Sequence, residues 1–332
     1  MMLERASLRL AMRVAILAPL VAVCSGHAPS PDEANSVQTV PSGVILVKGA
    51  WASASDATTP VPEGGAIANT VYTNAYFGLT YPLSRDWVEK YDGPPPSDSG
   101  YYVLAQLEPR DTSNGHIRGS LVITAADLFF SPTRADNALQ FVDFTRTHLQ
   151  ADYKVTRAPT QLTLAGHPFV RFDYFSAVAG LHWYVLATQI RCHIVQFVFT
   201  SRDVSLLERL LEGMAAGKLA DDEVPVCIKD YASPGNILER VDPVLAGRKF
   251  NPIPVRVIID REGKVKHTHV LSAFPEQSQA IMDALQRWKF KPYLRNGRPA
   301  EVETGIMFGH ATENGVNATP AATAAGRPSR HW

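Results

Sequence analysis

The chain has 332 residues, with 32 basic and 32 acidic side chains, and is 45% hydrophobic and 19% charged. That composition supplies enough apolar material for buried cores, and the length suits about two domains. A net charge of zero argues against a nucleic acid as the main partner.

Residues 1–28 read as a targeting segment. Arg5, Arg9 and Arg13 make a basic start, and Val14 to Cys24 is an apolar run of 11 residues, short of the roughly 20 needed to span a bilayer. Ser25, Gly26 and Ala28 are small residues suited to signal-peptidase cleavage. Three outcomes stay open: plain export to the periplasm, a lipoprotein with Cys24 lipidated, or an uncleaved anchor. Val21-Ala-Val-Cys24 is similar to a lipobox, but Val23 stands where a small residue is expected. Residues 29–70 are poor in aromatics and rich in Ala, Ser, Pro and Thr, so they read as a disordered leader. Within it, Val44-Ile-Leu-Val is either a short strand or a stray apolar run.

Residues 71–219 read as one domain. Tyr76 to Pro82 alternates and leads to Trp87, and Tyr101–Leu107 and Gly119–Ala125 have strand character. Ala135–Gln150 has helical spacing that turns Leu139, Val142, Leu149 and nearby Phe141 inward. Strands follow at Thr160–Leu164, Phe169–Ser176, Leu181–Ile190 and Ile194–Thr200. Asp203–Lys218 closes as a helix with Asp203 as N-cap and Leu206, Leu207, Leu210 and Leu211 on its buried side. Strands, helix, meander and helix in that order predict an α+β fold on an antiparallel sheet. Three stretches, Tyr76-Phe-Gly-Leu-Thr-Tyr-Pro-Leu-Ser-Arg-Asp-Trp87, Ala165-Gly-His-Pro168 and the closing helix, resemble the PsbP-like domains, a family mostly of accessory and binding modules. Residues 220–230 read as a linker.

Residues 231–310 read as a second, smaller domain. Val255, Val257 and Ile259 share one face of a strand; a turn follows at Asp260-Arg-Glu-Gly263, where Gly263 takes a positive φ. Val265 to Leu271 forms the return strand. Ser278–Lys289 reads as a helix with Ile281, Leu285 and Trp288 on one stripe. Pro292 stops it, and Asn296-Gly297 turns the chain into a last strand from Glu301. The motifs Val257-Ile-Ile-Asp-Arg-Glu-Gly-Lys-Val265, Ala284-Leu-Gln-Arg-Trp-Lys-Phe-Lys-Pro292 and Asn296-Gly-Arg-Pro-Ala-Glu-Val302 resemble the C-terminal domain of the TonB family. The resemblance implies a periplasmic binding module with two helices on a three-stranded antiparallel sheet, which in TonB itself takes a peptide of an outer-membrane transporter as an added strand. Energy transduction does not follow, because a full membrane helix and a long Pro-rich spacer are missing. Residues 311–332 read as a disordered tail.

Candidate chemistry is sparse. Cys192 and Cys227 remain after cleavage and either pair in an oxidising periplasm or stay free. A bridge would tie the linker onto the middle domain. His267 and His269 share a strand face; a solvated face is the expectation, with half a metal site the rival. Asp127, Asp143, Asp173, His148, His167 and His182 are scattered, and no catalytic, phosphate-binding or metal motif joins them. No enzyme activity, cofactor or metal is therefore expected. The binding candidate is the last strand: Glu301, Val302, Glu303, Thr304, Gly305, Ile306 and Met307. As an edge it would offer free backbone groups to a partner strand, with Glu301 and Glu303 facing one way and Val302, Thr304 and Ile306 the other. Replacing Thr304 with Pro is then expected to weaken binding. The expected partner is a protein, such as an outer-membrane transporter peptide, or a second copy in a homodimer. The expected location is the periplasm.

Overall fold

In the computed structural model the described residues are 45–47, 50–56, 62, 65–84, 86–90, 100–109, 119–131, 135–216, 225–245, 252–312 and 315–320. Residues 1–28, where a targeting segment is expected, lie outside them, Cys24 included.

The middle domain is built on a seven-stranded antiparallel sheet. Its order is Trp87–Glu89, Tyr101–Pro109, Ser120–Asp127, His193–Ser201, Leu181–Ile190, His167–Ser176, Tyr153–Leu164. Alternation along these strands splits the apolar residues between two faces. On one face the helix Ala138–Thr147 packs Phe141 and Val142 against Val170, Phe172, Val185 and Ala187. On the other, the helix Val204–Ala216 packs Leu207, Leu210 and Met214 against Leu121, Ile123, Phe197 and Phe199. A three-stranded meander, Gly65–Ala68, Val71–Asn74 and Leu79–Pro82, adds Tyr72, Leu79 and Tyr81 to that second core. Helix starts follow the expected chemistry. Asn137 Oδ1 accepts the Gln140 N–H at 3.0 Å, and Asp203 Oδ1 accepts the Ser205 N–H at 2.8 Å. Phe141 and Val142 face inward as expected, while Leu139 faces outward, against expectation.

The smaller domain centres on three antiparallel strands, Val265–Val270, Ile253–Ile259 and Val302–Thr312, in that spatial order. The helix Pro275–Leu285 covers one face, where Ile281, Met282 and Leu285 meet Val255, Val257, Ile259, Val302 and Ile306. Trp288 lies just beyond this helix, not within it, and its indole donates to Val241 O at 2.7 Å.

Several sequence expectations need correction. The sheet is larger than three strands. Ile45–Val47 takes the strand alternative and forms a hairpin with Ala50–Ser55, which was placed in the disordered leader; Ala54 and Ser55 pair with Val270 and His269. Val226–Cys227, placed in the linker, pairs in parallel with Val302–Glu303. Gly315–Pro320, placed in the disordered tail, pairs antiparallel with Val302–Thr312. The physical reason is shared: an exposed sheet edge accepts any extended segment, and low hydrophobicity does not prevent main-chain pairing. The second helix implied by the family resemblance is absent from residues 225–245, which form turns and two short strands.

Candidate functional site

The strand Val302–Thr312 organises the junction between the two domains. Val226 and Ile228 donate their N–H groups to the carbonyls of Glu301 and Glu303, at 2.8 and 3.0 Å. From Glu301 to Met307, odd-numbered residues therefore aim their backbone groups outward, and even-numbered ones aim theirs at Ile253–Ile259. The outer side is not free. Val226–Cys227 covers Val302–Glu303, and Gly315–Pro320 pairs with Ile306, Met307, His310, Ala311 and Thr312. The premise of an open edge over Glu301 to Met307 is thus corrected: the edge accepts strands, and this chain supplies them. Thr304→Pro is also the wrong probe. Its N–H points inward, so proline there would break the ladder to Val257.

Side chains along the strand divide sharply. Val302, Thr304 and Ile306 are buried on the helix side, Gly305 is buried, and Met307 is half-buried. Glu301 is paired with Lys266 at 2.7 Å near the surface. Glu303 faces away from Val302, Thr304 and Ile306, as alternation predicts, and is fully buried. It shares a sheet face with Arg256 and His269, and that face abuts the middle domain rather than water.

There the two domains meet through a closed polar cluster. Arg191 Nε donates to Glu303 Oε2 at 2.9 Å, and Arg256 Nε lies 3.4 Å from Glu303 Oε1. Arg256 also ion-pairs closely with Asp127, and the Tyr76 hydroxyl donates to Glu303. Arg256 Nη2 lies 3.3 Å from the Tyr102 hydroxyl, and the Arg191 guanidinium sits 4.0 Å over the Tyr76 ring. Two guanidinium groups face two carboxylates, so the formal charge balances. Every member is under a tenth exposed. Charges this deep persist only when paired.

Burial pushes the Asp127 carboxyl above its usual range, while Arg256 and the Phe129 N–H pull it back. Burial, with Arg256 and Arg191 nearby, holds His193 well below the usual imidazole range. Burial and then Arg256 do the same to His269. Both imidazoles are therefore neutral at pH 7. His269 lies on this face and not in solvent, as the sequence had suggested.

A covalent tie stands beside the cluster. Cys192 and Cys227 form a disulfide with Cα atoms 5.1 Å apart. It links the turn before His193–Ser201 to the strand that covers Glu303. The other scattered candidates do not converge. Asp173 pairs with Arg157 and Arg171, Asp143 with Arg146 along a helix, and His148 stacks on Phe144. No cluster of three or more His, Cys, Asp or Glu that could hold a metal occurs among the described residues. Of the cluster's members, Arg191, Arg256 and Tyr102 are not singled out by the sequence, and Tyr76 enters only as the start of the PsbP-like stretch. One signal was present: an arginine within the apolar run Ile253–Ile259, where a surface charge has no place.

Comparison with known proteins bears on the smaller domain. Residues 252–309 match the family described as Gram-negative bacterial TonB protein C-terminal. No curated protein matches the chain. Similar solved structures, all at low identity, include the following three. A protein from Bacteroides thetaiotaomicron is 12% identical over 44% of this chain and 47% of its own, with a TM-score of 0.29. The cyanobacterial PsbP of Synechocystis is 11% identical over 54% of this chain and 99% of its own, with a TM-score of 0.31. LpqN of Mycobacterium tuberculosis, described as involved in cell envelope biogenesis, is 11% identical over 51% of this chain and 92% of its own, with a TM-score of 0.32. This chain thus spans less than half of the first of these. No helix among the described residues is long and apolar enough to cross a membrane.

Proposed function

We propose that the protein is a non-catalytic binding protein of the cell envelope, exported to the periplasm, that engages a protein partner by strand addition. The site is the outer side of Val302–Thr312, beyond the part sealed by the disulfide-tied Val226–Cys227. The partner segment replaces Gly315–Pro320, the chain's own strand. A peptide of an outer-membrane transporter is the partner the TonB-like match favours. One observation carries the reading: the outer side of this strand already holds an added strand in antiparallel register. The middle domain serves as the rigid base, joined through the buried charges of Arg191, Arg256, Asp127 and Glu303.

The test is a photo-crosslinking residue at Met307, in the full chain and in a chain ending at Thr312, with an envelope fraction as target. The expected result is an adduct to an outer-membrane protein that is stronger in the shortened chain and competed by a synthetic Gly315–Pro320 peptide. An adduct indifferent to both changes would overturn it. A second copy of the chain as the crosslinked species would replace the transporter with a homodimer formed on the same edge.

A further inference from the structure

The start of Val302–Thr312 is closed on its outer side by a short and weakly held segment. Val226–Cys227 is a strand of 2 residues that pairs with Val302 and Glu303. The Val226 N–H bonds to Glu301 O at 2.8 Å, and the next N–H along the outer side, that of Ile228, bonds to Glu303 O at 3.0 Å. Val226, Cys227 and Ile228 are each half-buried, so little apolar area holds them down. Lys229 pairs with Asp136 at 2.6 Å, but Asp136 is largely exposed and such a pair adds little. Firm anchorage begins at Tyr231 and Ala232, which are buried in the core of the smaller domain. Upstream of them, the covalent bond from Cys227 to Cys192 is what pins the segment to the edge.

The two sulfurs differ in access and in surroundings. Cys192 is fully buried beside Phe129, whereas Cys227 is half-buried. An incoming thiolate therefore meets the bridge at Cys227. Cys192 Sγ lies 3.4 Å from Glu303 O, the carbonyl that the Ile228 N–H covers. Within the bridge that sulfur carries no proton. As a thiol it carries one and can donate it to the Glu303 carbonyl. The reduced protein thus keeps a donor for this carbonyl when the segment leaves. A buried acceptor left bare would oppose release.

We infer that the Cys192–Cys227 bridge is a redox site that sets the length of the strand-accepting edge. The inference rests on the strand addition proposed above. In the oxidised protein exchange is confined to residues 306–312, where the chain's own strand lies. The reductant is a dithiol. One of its thiolates attacks the Cys227 sulfur and forms a mixed disulfide; the bond to Cys192 breaks, and Cys192 leaves as a thiolate that takes up a proton. The second thiol of the reductant then attacks the mixed disulfide as its thiolate. The reductant becomes a disulfide, and Cys227 leaves as a thiolate and is protonated in turn. Residues 226–229 then swing away about Asp230, and a partner strand runs on past Ile306 as far as Glu301.

Hydrogen exchange on the full chain tests the release, with the protein oxidised or reduced by dithiothreitol and free thiols counted to confirm reduction. The outward Glu303 amide should exchange about tenfold faster or more after reduction. Thr304 and Ile306, bonded inward to Ile253–Ile259, should stay protected. Cys227→Ser should give the same fast Glu303 amide without reductant, and its circular dichroism spectrum should match that of the parent. Peptide binding is measured on a chain ending at Thr312 whose spectrum also matches. The probes are a synthetic Gly315–Pro320 peptide and the same peptide extended by Thr-Val-Thr-Val-Thr at its C-terminal end, the end that lies toward Glu301. The shorter peptide should bind alike in both states. The longer should bind about tenfold tighter after reduction, the worth of about one net hydrogen bond. A bridge that resists dithiothreitol in the folded protein, an unchanged Glu303 amide, or no gain for the longer peptide would overturn the inference. Failure of both peptides to bind would overturn strand addition, and the lengthened site with it. A Glu303 amide opened by reduction would then place the fault in strand addition and not in the release.

Discussion

Arg256 shows how one residue holds two domains. Its guanidinium reaches Asp127, Glu303 and Tyr102 from the middle of an apolar strand. Removing one partner of a buried pair leaves an uncompensated charge, at a cost of about 3–5 kcal/mol. Arg256→Met should lower unfolding stability in urea by about that amount. Adding Asp127→Leu should recover part of the loss, because no orphan carboxylate then remains at that position. A loss below about 1 kcal/mol for the single change would show that the cluster is not holding the joint. The same burial sets a pH response. His193 and His269 have folded pKa values well below the unfolded 6.5. Below pH 6.5 the unfolded chain takes up these two protons and the folded chain does not, so stability falls as pH drops. Asp127 acts in the opposite sense. Its folded pKa lies above 3.8, so its burial costs stability at neutral pH, and that cost is relieved as pH falls through the folded value. Thermal melts from pH 7.5 to 5.5 should therefore show a falling midpoint, and His269→Gln should flatten the slope. The cluster was poorly legible in the sequence. Arg256 and Asp127 each read as an isolated charge in a strand, and nothing in one dimension says that they meet 129 residues apart.

At the scale of elements, legibility depended on whether a signal was local. The helix Pro275–Leu285 and the turn at Asp260–Lys264 were readable because period, proline and glycine all act within a few residues. The turn also shows why glycine stands there. Gly263 has φ +84°, and a Cβ would come 2.1 Å from Phe290 O, the same segment in which the Phe290 N–H bonds to Gly263 O at 2.7 Å. Gly263→Ala should cost more than about 2 kcal/mol, through both strain and collision with backbone. Chemical denaturation would check it, and a change within about 0.5 kcal/mol would contradict the tight approach. Edge strands were the unreadable elements. Ala50–Ser55 and Gly315–Pro320 carry little apolar pattern, because what holds them is the ladder. The burial of Glu303 is hidden for a related reason: alternation assigns a residue to a face, but not what covers that face.

Over the whole molecule, the described residues form one compact unit. Among the described residues, ties between its two domains include the buried charges, the disulfide, and Leu271, which leaves the smaller domain to join the core of the larger. One cooperative unfolding transition is expected in calorimetry. The Cys192–Cys227 bridge closes a separation of 35 residues, worth about 3–4 kcal/mol on the chain-entropy model. Cys192→Ala with Cys227→Ala should lower stability by about that much and leave a single transition. Two separated transitions would mean that the bridge alone couples the domains.

The most direct test of strand addition is amide-resolved hydrogen exchange on the full chain and on a chain ending at Thr312. In the full chain, the Met307 amide should be protected, because the strand Gly315–Pro320 lies along it. In the shortened chain Met307 should exchange fast, while Thr304 and Ile306 keep their protection through Ile253–Ile259. Addition of a partner peptide should restore Met307. Fast exchange at Met307 in the full chain, or no change on shortening, would contradict an edge that this chain fills for itself and yields to a partner.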